Sequence, residues 1–172
     1  SYVIKINSIK KFYAFEPQAS IFRILKRNFL NNKKVKLINM GLSEKPSKKI
    51  FYISKLSSTS TMSKFNENSS YLKFKNILIG SKKNYVDKYL IKTSSINVFF
   101  KNIKFTNCLL KIDVEGFEYN VLEGGKSKIG EVNYILIENQ FGNLYENKGF
   151  NEIKNYLYKK NFRVLKKFTS PT

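Results

Sequence analysis

The run Leu109–Glu118, LLKIDVEGFE, places Asp113, Glu115 and Glu118 at the end of an apolar stretch in a chain with only 12 acidic residues against 32 basic ones. Acids gathered in so acid-poor a chain call for a reason. A carboxylate can take a proton from a reacting hydroxyl, and it can accept hydrogen bonds from two hydroxyls at once. Histidine is absent from the chain. That excludes imidazole bases, Ser-His-Asp triads and zinc sites built on His, so carboxylates, Lys, Tyr and Asn remain as catalytic groups, and no metal site is expected.

Three apolar stretches end in acids: FYAFE at Glu16, LLKIDVE at Asp113 and Glu115, and YILIE at Glu138. In open α/β sheets ligands bind beyond the carboxyl ends of the strands. An acid at the end of the second strand of such a sheet is placed to hold both ribose hydroxyls of an adenosine cofactor, and Glu16 stands there. Each acid also has a plainer role, because a carboxylate at a strand end caps or charges the next helix for about 0.3 to 1 kcal/mol. Glu118 reads that way. For Glu16 both readings stand, whereas Asp113 extends a core-type strand toward Gly116, a residue that lets backbone approach a ligand.

The elements that position these acids follow from the pattern of apolar residues. Lys11–Phe15 reads as a strand stopped by Pro17. Ile21, Phe22, Leu25 and Phe29 then recur at helical spacing between Ser20, the expected N-cap, and Asn31-Asn32. Val35–Asn39 and Lys49–Ser54 read as strands, Tyr89–Lys92 as another, and Ser95–Lys101 as a short helix. From Lys55 to about Val86 the pattern dissolves into Ser, Thr, Asn and Lys, so a long surface loop or insertion is expected there. Cys108–Val114 carries the signature of a parallel strand buried on both faces. A helix from Tyr119 to Gly124-Gly125, a strand at Asn133–Ile137, a helix at Phe150–Lys160 and a last strand at Phe162–Phe168 complete an open, doubly wound, mostly parallel α/β sheet.

A chain of 172 residues, 42% hydrophobic, suffices for one domain. No apolar run approaches the ~20 residues of a membrane helix and no signal peptide opens the chain, so it reads as cytoplasmic. Cys108 stands alone, flanked by leucines, as a buried and inert thiol. The formal charge of +20 invites a nucleic-acid partner. Yet the bases are scattered pairs, and Arg23, Arg27 and Arg163 are the only arginines. Guanidinium groups are favoured for phosphate and base-edge contacts, so compositional drift explains the Lys, Asn and Ile content better than a nucleic-acid surface does.

YAFEPQASIFRILKRNFLNN, VKLINMGLSEK, LLKIDVEGFEYNVLEGG and YILIEN, in that order, resemble the FkbM-type methyltransferases, a group of class I S-adenosylmethionine-dependent enzymes. The Phe15-Glu16-Pro17 turn and the Asp113–Glu118 run carry the resemblance most specifically. It implies a Rossmann-like sheet and transfer of a methyl group from S-adenosylmethionine to a hydroxyl of a sugar, glycan or secondary metabolite. By analogy Glu16, with Pro17, would hold the ribose, and Asn39, Gly41 and Leu42 would lie beside the adenine. Asp113 would face the reacting end as cofactor contact and base, with Glu115 as its substitute, and Glu138 would line the substrate side. The family carries a Gly-rich loop of Asp-x-Gly-Ala-Asn-x-Gly type upstream of the Phe-Glu-Pro turn. This chain has no glycine before Gly41, so an N-terminally incomplete domain is expected, in which Ser1–Asn7 would match the end of the first helix although Tyr2, Ile4 and Ile6 alternate like a strand. Asn97 stands where the family tends to have Asp. Two alternatives remain: a nucleic-acid methyltransferase or basic binding module, and an inactive fragment or non-enzymatic binding domain.

Overall fold

Two short aromatic and aliphatic runs, Phe12–Phe15 (β1) and Val35–Ile38 (β2), pair in parallel from Phe12 opposite Val35 to Phe15 opposite Ile38. The helix that joins them, α1 (Ala19–Asn28), carries Ile21, Phe22 and Leu25 at helical spacing. The computed structural model describes residues 9–54, 60–79, 85–138 and 144–168. Residues 1–7, whose period the sequence left open, lie outside them. Ser20 is not the N-cap: it is the second residue of the helix, and its Oγ accepts from Gln18 Nε2 at 3.1 Å. The entering turn is closed instead by Glu16, whose Oε1 accepts the Gln18 N–H at 2.7 Å.

A mixed three-stranded sheet follows in the order β3–β5–β4, with β3 at Gly41–Leu42, β4 at Ser47–Ile53 and β5 at Asp87–Ser94. β5 runs parallel to β3 and antiparallel to β4. The stretch expected to be a loop between β4 and β5 is largely structured where it is described. Ser70–Ile79 forms a helix, α2, and Thr61 and Phe65 make single bridges to Tyr52 and Tyr145. Thr61, Ser63, Ser69 and Leu72 are buried there. Ser and Thr suggested a surface, but small hydroxyl side chains bury readily once each finds a backbone partner: Thr61 and Ser63 donate to carbonyls, and Ser69 accepts the Leu72 N–H. Residues 55–59 and 80–84 of that stretch lie outside the described residues.

Ser95 caps α3 (Ile96–Phe99) by accepting the Val98 N–H. Asn97, in the place of an acid, accepts the N–H groups of Ser127 and Lys128 at 3.2 Å and so ties α3 to the turn after the next helix. Leu109–Ile112 (β6) and Tyr134–Ile137 (β7) then pair in parallel, joined through α4 (Glu118–Gly124) and a short 3-10 turn at Ile129–Glu131. α5 covers Phe150–Tyr158. β6 is not buried on both faces: Ile112 is buried while Leu109 remains 55% exposed, and Tyr134 and Leu136 of β7 are exposed on the same alternation. One face packs on the helices and the other does not, so an apolar run need not be doubly covered. The expected last strand is likewise absent. Phe162 donates its N–H to Leu157 to close α5, and 163–168 adds no ladder, with Leu165 and Phe168 exposed.

The chain is therefore α/β, with parallel pairs joined through helices. Among the described residues the strands form three small sheets rather than one continuous sheet. They meet at a main core that includes Ile96, Ile112, Phe117, Leu122, Ile129 and Ile153, against which Phe15 of β1 and Leu42 of β3 pack, and Leu72, Leu144 and Tyr145 form a second, smaller one with Phe65. Tyr13 and Phe15 set their ring edges against Phe99 and Phe100, with centroids 4.8 to 6.5 Å apart. Gly124 brings α4 onto the end of β3: a Cβ there would stand 2.0 Å from the Ser43 carbonyl oxygen. No helix among the described residues is long and apolar enough to cross a membrane.

Candidate active site

Two groups of sequence-predicted residues assemble at the carboxyl ends of parallel strands. In the first, Glu16 follows β1 and Asn39 follows β2. Asn39 Nδ2 donates to the carbonyls of Glu16 at 2.8 Å and Pro17 at 3.3 Å, locking the Phe-Glu-Pro turn onto the neighbouring strand. Partial burial pushes the Glu16 carboxyl above its ordinary range, offset in part by the Gln18 N–H. One oxygen of Glu16 is thus committed to the helix turn, and the other has no hydrogen-bond partner among the described residues. Both readings of Glu16 persist in the same side chain. Gly41 is small for a packing reason: a Cβ would press on Ile91 Cδ1 at 3.1 Å and Met62 Cε at 3.2 Å. Leu42 beside it joins the core.

The second group is the loop after β6. Its acids separate by environment. Asp113 is exposed and ion-paired with Lys111 of the same strand. Glu138, which follows β7 and donates its N–H to Ile112, is also exposed. Glu118 is 3% exposed and takes the plainer role expected of it, its Oε1 accepting the Gly116 N–H at 2.9 Å across the turn. Its carboxyl is pushed up by burial against the pull of nearby backbone N–H groups.

Glu115 differs from all of these. It is 8% exposed, and its backbone sits at φ +52°, a left-handed conformation that non-glycine residues hold only when their surroundings impose it. The restraint is visible. Thr61 Oγ1 donates to the Glu115 carbonyl at 2.6 Å, and both Ser63 Oγ and Asn147 Nδ2 donate to the Gly116 carbonyl at 2.7 Å. Gly116, at φ +85°, completes the turn beneath the ring of Tyr145, where a Cβ would lie 2.2 Å from a ring carbon. Burial, then the negative charge of Asp113, with smaller contributions from Glu138 and Glu118, raises the Glu115 carboxyl to about 7 against the hydrogen bond it accepts from the Tyr145 hydroxyl. A carboxyl balanced near neutrality can exchange a proton with a hydroxyl substrate in either direction.

Thr61, Ser63, Tyr145 and Asn147 escaped the sequence reading. SSTSTMS marked the first two only as a polar stretch, and nothing in the spacing around Tyr145 or Asn147 tied them to a loop some 30 residues upstream. Cys108 is half-buried, and burial, with Glu131 nearby, pushes its thiol up and away from thiolate chemistry.

The family model of the methyltransferase FkbM domain matches residues 1–164. No curated protein and no solved structure matched the chain.

Proposed function

The chain belongs to the FkbM methyltransferase family, and from that premise we propose that it transfers a methyl group from S-adenosylmethionine to a hydroxyl of a sugar, glycan or secondary metabolite, with Glu115 as the base. The observation that carries this reading is the contrast inside one loop: Asp113 is exposed and already paired with Lys111, whereas Glu115 is buried and raised to about 7. An ordinary carboxylate is too weak a base to share a hydroxyl proton effectively, and burial among other acids strengthens it.

The residues fit the cofactor on one side and the acceptor on the other. Glu16 retains a carboxylate oxygen without a partner among the described residues for ribose hydroxyls, on a turn that Asn39 fastens, and Asn39, Gly41 and Leu42 follow the adjacent strand. S-adenosylmethionine supplies a methyl carbon on a sulfonium. This chain's residues would orient the acceptor oxygen toward that carbon, and the Glu115 carboxylate would take up the proton that the hydroxyl loses. What this chain contributes is alignment and proton acceptance, which suits a sequence without histidine. On this reading Asp113 would face the reacting end and Glu138 the acceptor side, and the charges of both keep the proton affinity of Glu115 high. The doubly wound arrangement of the family would bring the two strand-end groups to one crevice.

Calorimetric titration of the full chain with S-adenosylmethionine tests the cofactor half of the reading. Glu16→Ala is expected to weaken binding by about 1 to 3 kcal/mol, the loss of charge-assisted hydrogen bonds. An unchanged dissociation constant would remove Glu16 from the site.

A further inference from the structure

We propose that Tyr145 is the positioning residue of this site: its hydroxyl and ring, seated by the 61–65 segment, fix the orientation and proton affinity of the Glu115 carboxyl. The inference rests on the reading of Glu115 as the base and extends it to a residue from a distant part of the chain. Tyr145 Oη donates to Glu115 Oε2 at 3.3 Å, and both side chains are buried. The ring covers Gly116 so closely that only glycine fits beneath it. Phe65 in turn holds Tyr145, through a β-bridge and a tilted ring contact with centroids 5.3 Å apart. The same segment grips the loop itself through Thr61 and Ser63. Backbone and side chain of Glu115 are therefore restrained by one clasp.

The chemistry of the pair has a direction. The Tyr145 hydroxyl is pushed far up by burial and by Glu115 beside it, so it remains a donor throughout the working range and never competes as a base. As a donor it favours the ionised form of Glu115, opposing burial and the charges of Asp113, Glu138 and Glu118. Of the other side chains around the loop, Lys111 is engaged with Asp113, and Thr61, Ser63 and Asn147, which hold its backbone, are uncharged. Without the phenol, Glu115 would hold its proton more tightly and act as a base only at higher pH.

The test is Tyr145→Phe, which keeps the ring over Gly116 and removes only the hydroxyl. In the full chain carrying 13C-labelled Glu carboxyl groups, with the Glu115 resonance identified by its loss in Glu115→Gln, half-titration of Glu115 is expected to rise by roughly 0.5 to 1 pH unit in Tyr145→Phe. The acidic limb of the methyl-transfer rate should move by the same amount, with the KM for S-adenosylmethionine unchanged. An unmoved Glu115 titration in a variant that melts like the wild type would overturn the proposal. If the resonance moves as expected and no methyl transfer occurs at any pH, the Tyr145–Glu115 coupling stands and the methyl-transfer reading fails.

Discussion

Glu44 begins a line of hydrogen bonds that ends on the backbone beside Glu115, and the two carboxyls are driven in opposite directions. Asn120 Nδ2 donates to Glu44 Oε2 at 3.3 Å, Asn147 Nδ2 donates to Asn120 Oδ1 at 2.7 Å, and Asn147 also donates to the carbonyl of Gly116 beside Glu115. Burial works to raise both carboxyls. At Glu44 it is outweighed by Lys49 Nζ at 2.7 Å, by Ser43 Oγ at 2.6 Å and by the residue's own N–H, and the group falls to about 2. At Glu115 one phenol opposes burial and three other acids, and the group rises to about 7. The difference separates a carboxylate used to fasten β3 to β4 and α4 from one kept available for a proton.

The largest expected effect is on turnover. Glu115→Gln removes the base while keeping shape and the acceptor for Tyr145, and should lower methyl transfer by about 100-fold or more. The same variant should alter the pH dependence of stability. A carboxyl raised in the folded state binds its proton more tightly there than when unfolded. The wild type therefore loses stability as pH climbs from about 4.5 to about 7, by up to about 3 kcal/mol. Urea unfolding of the Gln variant should lack that decline.

Gly124→Ala attacks the other end of the line. Its Cβ would collide with the backbone at Ser43, the neighbour of Glu44, and should cost about 2 to 4 kcal/mol in denaturant melts at every pH.

Glu44→Gln sharpens the contrast because the two carboxylates should respond with opposite signs. A depressed carboxyl contributes stability that is present above its unfolded value near 4.5 and lost as pH falls toward about 2. Glu44 and Lys49 are each a quarter exposed, so the contribution at neutral pH is about 1 kcal/mol, with turnover unchanged.

The smallest effect is expected from Asp113→Asn, which removes one negative charge facing Glu115. The acidic limb of the rate profile should move down by less than about 1 pH unit, with little change in cofactor binding.

Much of this was legible in the residues. β1, β2, α4 and α5 follow from apolar spacing and glycine stops, and the strand-end acids were visible because the chain has so few. What stayed hidden depends on contacts between distant segments. Leu109 belongs to an apolar run but lies on the uncovered face of β6. Thr61 and Ser63 look like loop residues and are buried because Glu115 and Gly116 turn their carbonyls toward them. Asp113 and Glu115 are both acids at one strand end, and no local pattern says which is buried. That depends on Tyr145 closing over Gly116 from 30 residues away along the chain.

The most direct test follows Glu44 and Glu115 together, by carboxyl 13C chemical shifts in one sample titrated from strongly acidic to mildly alkaline pH. Two widely separated transitions are expected, Glu44 at about 2 and Glu115 at about 7. Superimposed transitions in the ordinary carboxylate range would contradict it and leave Glu115 without the proton affinity on which its role depends.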